Sequence, residues 1–182
     1  HEHLVPILGR IMGHPLQKQG LVMELISSSY ITLGLAPTFD TCTRDVYPPH
    51  LAFTYTEILS ILSGIADVVG YLHQRGIMHG DLYAHNIQIN NRCVPILGDF
   101  GAATRYERTH GMDSIHPLES IEVRAFGCLI EDLLGLADNN ADEVVRSSLT
   151  ILKQACMRTD VGLRPSFEDI RAQLQLLKAM LV

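Results

Sequence analysis

Apolar residues recur every three or four positions across residues 54–74, the spacing of a helix that lays one face on a core. The pair Arg75-Gly76 follows directly and is typical of a helix end. Ser166, with Asp169 three residues later, predicts a capping box at the start of another helix. The same apolar spacing predicts helices at residues 118–136, 142–157 and 166–181.

Short apolar runs predict strands in two places. Residues 4–9 and 20–26 are apolar runs joined by a polar connection, so we expect a strand pair there. Apolar residues on both sides of Asn90-Asn91 predict a hairpin. Residues 27–49 are rich in Ser, Thr, Gly, Pro and Asp, which predicts a loop holding at most one short helix. The pattern predicts an α+β fold that is mainly helical.

Composition narrows the classes of function. The 182 residues are 47% hydrophobic and 19% charged, enough for one substantial core. The net charge of −6 argues against a nucleic-acid surface, which needs clustered Lys and Arg. Four cysteines without a C-x-x-C pair favour reduced thiols over disulfides or zinc. We expect neither a signal peptide nor an apolar run of membrane-spanning length in this sequence. We therefore predict a cytoplasmic protein without a membrane partner.

The residues with the most specific chemistry lie in two stretches, His79-Gly80-Asp81-Leu82-Tyr83-Ala84-His85-Asn86 and Asp99-Phe100-Gly101. Asp81 offers a carboxylate that can orient a hydroxyl nucleophile and accept its proton. Asn86 and Asp99 offer a carboxamide and a carboxylate, which are oxygen ligands suited to Mg²⁺. The predicted hairpin separates the two stretches and would present both on one side. The pattern therefore predicts a site for phosphoryl transfer.

These stretches resemble the H-R-D-x-x-x-x-N catalytic loop and the D-F-G metal loop of the protein kinase superfamily. Three further segments resemble kinases: residues 71–79 before the catalytic loop, residues 122–129 of the central helix, and Cys156 with Arg164-Pro165-Ser166-Phe167 near the end of tyrosine-kinase-like domains. The resemblance implies a kinase C-terminal lobe over residues 27–182. Residues 1–26 would then be the last two N-lobe strands and the hinge.

The resemblance also implies the activity, which is transfer of the γ-phosphoryl group of ATP, with Mg²⁺, to a protein hydroxyl. Asp81 would be the catalytic residue, and Asn86 and Asp99 the metal ligands. The expected nucleotide contacts are the gatekeeper Met23, the hinge residues Glu24, Leu25 and Ile26, and the pocket floor Gln88, where kinases usually have an aliphatic residue. His79, Phe100 and Gly101 are expected to support the two loops. Glu122, which stands in place of the usual Asp, would do the same, and Glu119 would pair with Arg164.

Three residues of the catalytic loop depart from the kinase pattern. Gly80 replaces the Arg that grips a phosphorylated activation loop, so phosphorylation at Thr104, Thr109 or Ser114 would lack its main partner. Tyr83 and His85 occupy the positions where serine/threonine kinases have Lys and tyrosine kinases have Arg. His85 is either a weak phosphate contact or a packing and hydrogen-bonding residue. The type of acceptor hydroxyl therefore stays open.

Two further features widen the choice of function. The activation segment is short and has Pro117-Leu118-Glu119 in place of A-P-E, so a small-molecule kinase of related fold, which often has H-G-D, is an alternative. No glycine-rich loop, strand Lys or paired helix Glu precedes the motifs. Since His1 is not an initiator Met, we expect a kinase fragment that is weak or inactive without its N-lobe in cis. The sequence also leaves open a pseudokinase-like binding or scaffold module and a helical interaction domain.

Overall fold

The computed structural model describes residues 1–42, 44–107, 116–138 and 142–181. Four helices begin and end within a residue or two of the positions that the apolar spacing predicts. They are α1 (Tyr55–His73), α2 (Pro117–Gly135), α3 (Glu143–Cys156) and α4 (Phe167–Met180). The helix α1 packs against α4 and α2, and α2 packs against α3.

Capping boxes fix the starts of two helices. The predicted box is present at α4, where Ser166 Oγ accepts from Asp169 N and the Asp169 side chain accepts from Ser166 N. A second box starts α1, where Thr54 and Glu57 have the spacing of a capping box: Glu57 N donates to Thr54 Oγ1 at 3.3 Å, and Thr54 N donates to Glu57 Oε2 at 2.8 Å. Each box satisfies amide groups that the first turn leaves without helical partners.

The helix α1 is the centre of the core. Its buried side chains include Ile58, Ile61, Leu62, Ile65 and Val69. By length and composition alone it could also cross a membrane, so the expectation that no apolar run reaches that length is wrong. Its apolarity has a physical reason in this fold, because α2, α4 and the strand Pro95–Leu97 cover it.

Among the described residues the strands form three small antiparallel sheets, so the fold is mixed α/β. The strand β1 (Ile7–Ile11) pairs with β2 (Gly20–Met23), and β4 (Ile77–Met78) pairs with β7 (Thr104–Arg105). The third sheet has the order β3 (Ile31–Thr32), β5 (Ile87–Ile89), β6 (Pro95–Leu97). The described part of residues 27–49 contains no helix and contributes β3 instead.

The first strand pair is shifted from its predicted position. Pro6 has no amide hydrogen to donate, and β1 begins only after it. Glu24 N still donates to Pro6 O at 2.9 Å, which extends the pairing beyond the end of β2. Leu97 N donates to His3 O at 2.9 Å and joins the start of the chain to β6. Many apolar side chains of this strand pair are exposed, including Ile7, Leu8, Leu21, Val22 and Met23.

The hairpin of β5 and β6 carries the two predicted functional loops. Its register pairs Ile87 with Leu97 and Gln88 with Ile96. Ile87 and Leu97 are fully buried, whereas Gln88 and Ile96 are only partly buried on the opposite face. The catalytic loop precedes β5 and the D-F-G residues follow β6, so both loops leave the hairpin at the same end, as predicted.

Candidate active site

Asp81 and Asn86 are joined directly within the loop between β4 and β5. A short 3-10 turn, Ala84–Asn86, brings the Asn86 side chain back toward Asp81. Asn86 Nδ2 donates to Asp81 Oδ2 at 2.8 Å and to the Asp81 carbonyl oxygen at 2.9 Å. Asn86 Nδ2 is held by Asp81, and no hydrogen bond from the described residues reaches the side-chain oxygen of Asn86, which can therefore coordinate a cation.

Asp99 follows β6 in a left-handed backbone conformation, with φ 48° and ψ 80°. Asp tolerates this region better than most residues because its short side chain can bond nearby backbone. Here Asp99 Oδ1 accepts from Gly101 N at 3.0 Å, which leaves its second carboxylate oxygen available. Asp99 itself is exposed.

His79 connects the catalytic loop to the D-F-G loop. Its fully buried ring donates from Nε2 to the Gly98 carbonyl oxygen at 2.7 Å. The ring of Phe100 meets the His79 ring edge to face, with centroids 4.7 Å apart. Gly98 N in turn donates to Asn86 O at 2.9 Å. These contacts hold Asn86 and Asp99 at fixed relative positions.

A cavity of about 130 Å³ lies where the two loops meet, and five of the predicted site residues line it, although Asp81 does not. Its lining residues are Ile26, His85, Asn86, Gln88, Ile96, Gly98 and Asp99. A neighbouring cavity of about 320 Å³ is lined by Glu24, Leu25 and Ile26 of the predicted hinge, together with Tyr30 and Ile96. Met23 lines neither cavity and its side chain is 55% exposed at the end of β2.

Gly80 adopts a conformation that glycine favours, with φ +83°. Its amide donates to Glu122 Oε1 at 2.9 Å, so the predicted bond from the central helix to the catalytic loop is present. The second Glu122 oxygen accepts from His73 Nε2 at 2.6 Å. His73 and Glu122 are both almost fully buried, and these hydrogen bonds connect α1, α2 and the catalytic loop.

The prediction of an ion pair between Glu119 and Arg164 is wrong. Arg164 donates from Nη1 to Ser120 O at 2.7 Å and from Nε to Arg158 O at 2.9 Å. Glu119 accepts from the Tyr106 hydroxyl at 2.6 Å. The buried guanidinium therefore finds main-chain carbonyls instead of the carboxylate, and it still fastens the segment after α3 to α2.

His85 has a buried acidic partner that is not among the predicted site residues. His85 Nδ1 donates to Asp45 Oδ1 at 2.7 Å, and the Asp45 side chain is only 2% exposed. The ring of Tyr83 stacks on that of His85, with centroids 5.4 Å apart. Asp45 lies in the polar loop of residues 27–49 and belongs to no recognisable motif. Because it is 40 residues from His85 in the sequence, the contact between them could not be predicted from the sequence.

Tyr83 separates this site from another cavity, of about 300 Å³, between the catalytic loop and α2. Burial, together with the charges of Asp81 and Asp45, raises the pKa of Tyr83, which keeps its hydroxyl neutral. The cavity is also lined by Arg44 and Asp132, which form an ion pair. Burial raises the pKa of Asp132, an effect that the Arg44 guanidinium opposes.

One expectation concerns three residues of the activation segment. Thr104 lies in β7, and its hydroxyl donates to Ala102 O at 3.4 Å. Thr109 and Ser114 lie outside the described residues. The effect of phosphorylation at these three positions stays a prediction.

Comparison with known proteins identifies the family. A sequence model of the family described as protein kinase domain matches residues 20–120, more than half of the chain. The chain belongs to the protein kinase family. The matched residues include the catalytic loop, the hairpin and the D-F-G loop.

Several curated kinases are similar over part of their length. SNF1-activating kinase 1 of Saccharomyces cerevisiae is 28% identical over 123 residues, which cover 68% of this chain and 10% of that protein. Cyclin-dependent kinase C-2 C of Arabidopsis thaliana is 31% identical over 100 residues, which cover 52% of this chain and 15% of that protein. Serine/threonine-protein kinase bur1 of Neurospora crassa is 37% identical over 59 residues, which cover 32% of this chain and 11% of that protein. The matches thus span 10% to 15% of the length of these relatives.

Proposed function

We propose that this chain is the catalytic part of a protein kinase domain that transfers the γ-phosphoryl group of ATP to a protein hydroxyl. The observation that carries the proposal is the bond from Asn86 to Asp81 beside Asp99, with the two loops joined through Gly98. Residues 27–182 would be the C-terminal lobe. Residues 1–26 would contribute the last N-lobe strands and the hinge.

The donor set fits Mg²⁺, because a carboxamide oxygen and a carboxylate are hard oxygen ligands. Asn86 and Asp99 would hold the ion, which when bound neutralises the charge of the phosphates. Asp81 would orient the acceptor hydroxyl and take its proton with the carboxylate oxygen that Asn86 does not occupy. His79 and Glu122 keep the two loops in place through bonds to Gly98 O and Gly80 N.

The adenine ring would lie between the hinge and the floor at Gln88. Glu24 N is already bonded to Pro6 O, so the base would be met by the remaining main-chain groups of Glu24, Leu25 and Ile26. Ile26 and Ile96 line the cavity and supply apolar contact. Gln88 supplies less apolar contact than an aliphatic residue would, which lowers the expected affinity for the nucleotide.

The test combines nucleotide binding with phosphate transfer. Mg²⁺-ATP should raise the melting temperature of this chain or of a version extended upstream, and the extended version should transfer labelled phosphate to a general acceptor such as casein. Asp81→Asn should abolish transfer while leaving the thermal shift nearly intact, whereas Asp99→Asn should remove both. Asp40→Asn, at an exposed aspartate far from the motifs in sequence, is the matched control.

A second candidate function is a pseudokinase-like binding module. The polar Gln88 at the floor of the cavity favours it, because a polar floor weakens adenine binding. This candidate predicts no thermal shift with Mg²⁺-ATP in either version of the chain. A small-molecule kinase, which Gly80 favours, predicts nucleotide binding without transfer to casein.

A further inference from the structure

A buried carboxylate lies directly under the catalytic loop. The Asp45 side chain is 2% exposed and accepts three hydrogen bonds from the loop. Ala84 N and His85 N donate to Asp45 Oδ2 at 2.5 and 3.3 Å, and His85 Nδ1 donates to Asp45 Oδ1 at 2.7 Å. Burying a carboxylate is costly unless such donors compensate it, so this arrangement is specific.

The segment that supplies Asp45 is itself fixed on both sides. Arg44 forms ion pairs with Asp132 and, at 3.0 Å, with Glu131 of α2. The Tyr47 hydroxyl donates to Asp132 Oδ2 at 3.1 Å. Between these anchors, the main chains of Val46 and Leu35 exchange two hydrogen bonds of 2.8 and 3.0 Å. Asp45 is therefore held against α2 rather than carried on a free loop.

The bonds to Asp45 act on the turn that ends in Asn86. Among the described residues, the turn Ala84–Asn86 receives its side-chain cap from Asp45, since its own N-cap residue, Tyr83, makes no such bond. His85 adds a third attachment from the middle of the turn, and its ring is also stacked on Tyr83. A shift of this turn would move the Asn86 side chain relative to Asp99.

We infer that Asp45 is a positioning residue of the kinase site, which holds the Ala84–Asn86 turn through the amides and through His85 Nδ1 and so places Asn86 for Mg²⁺. The part of this inference that concerns Mg²⁺ rests on the proposed function. The link from Asp45 to Asn86 does not depend on that function. His85 acts here as a link to Asp45 rather than as a phosphate contact. Residues that orient a metal ligand commonly change affinity about tenfold or more when lost.

Two substitutions at His85 separate these roles. In His85→Asn the side-chain amide can take the place of Nδ1 and keep the bond to Asp45. In His85→Gln the amide falls near the position of Nε2 and loses that bond. We expect the Mg²⁺ concentration for half-maximal stabilisation by ATP to rise about tenfold in His85→Gln and in Asp45→Asn, and to rise less in His85→Asn, which keeps the bond to Asp45.

A nuclear magnetic resonance measurement reads the link without any nucleotide. The side-chain amide signals of Asn86 should stay in place in His85→Asn and move in His85→Gln. The inference is overturned if both variants leave the signals unmoved, or if His85→Asn weakens Mg²⁺ dependence as much as His85→Gln does. If the wild type shows no response to Mg²⁺-ATP, the proposed function fails, while the Asn86 signals still decide whether Asp45 positions the turn.

Discussion

Gly80 and Ala102 lie so close that a Cβ atom added to Gly80 would stand 2.5 Å from the Ala102 carbonyl oxygen. Gly80 also has φ +83°, where side chains are rarely tolerated. The glycine therefore does more than remove the Arg that many kinases have at this position. It lets the catalytic loop and the segment after D-F-G approach each other closely.

Gly80→Ala should lower the free energy of unfolding by about 1–3 kcal/mol, because the new Cβ meets backbone and the positive φ becomes strained. Urea denaturation followed by circular dichroism measures the change. Gly135→Ala is the matched control, since a Cβ there meets nothing within 4 Å at the end of α2. Equal stability of Gly80→Ala and wild type would show that the two loops separate without cost.

The helices of this protein could be predicted from the sequence because their signals are local. Apolar spacing gives the buried face, and Ser166 with Asp169 gives the start of α4. The hairpin and the two motifs are equally local, so the order Asp81, Asn86, Asp99 on one side of the sheet could also be anticipated.

Contacts between residues far apart in the chain could not be predicted. Asp45 meets His85 across 40 residues, and nothing in the polar loop distinguishes it from its neighbours. The kinase pattern predicts that Glu119 pairs with Arg164, yet Arg164 bonds main-chain carbonyls. Partner choice for a buried charge depends on the packed geometry of all nearby groups, which local sequence does not encode.

Glu122→Asp tests whether the length of the acidic side chain matters. The substitution restores the residue usual in kinases, but the shorter carboxylate cannot reach both Gly80 N and His73 Nε2 from the same backbone. We expect the free energy of unfolding to fall by about 1–3 kcal/mol, since one buried donor loses its partner.

Chemical denaturation at neutral pH measures this change, with Glu143→Asp as control because its side chain is 75% exposed. Full stability of Glu122→Asp would mean that the backbone of α2 or of the catalytic loop adjusts to keep both bonds.

Gln88→Leu should strengthen nucleotide binding if the cavity between the hinge and β5 holds adenine. Replacing the polar amide by an aliphatic side chain adds apolar contact worth about 1 kcal/mol, or about fivefold in the dissociation constant. Isothermal titration calorimetry with Mg²⁺-ADP gives the constant for wild type and variant. Gln175→Leu, which changes the same side chain in α4 at a separate cavity, should leave the constant unchanged. Weaker binding in Gln88→Leu would place the base elsewhere.

Cys156 should make the protein less stable at alkaline pH. Burial raises the pKa of this fully buried thiol from 9.0 to about 12, an effect that nearby Arg164 opposes. The folded state therefore holds the proton more tightly than the unfolded state. Its contribution to stability is complete below pH 9 and is lost as the pH rises toward 12, by about 1.4 kcal/mol for each pH unit.

Cys156→Ala removes this titration, so its free energy of unfolding should fall less steeply with pH. Between about pH 8.5 and 11 the wild type should lose roughly 2–3 kcal/mol more than Cys156→Ala, measured by urea denaturation at each pH. The exposed Cys42 provides the matched control, and Cys42→Ala should follow the wild-type curve. Because the remaining groups that titrate at alkaline pH, such as Cys93, are common to all three proteins, the difference between the curves isolates Cys156. Parallel curves for wild type and Cys156→Ala would show that the thiol ionises as readily in the folded as in the unfolded chain.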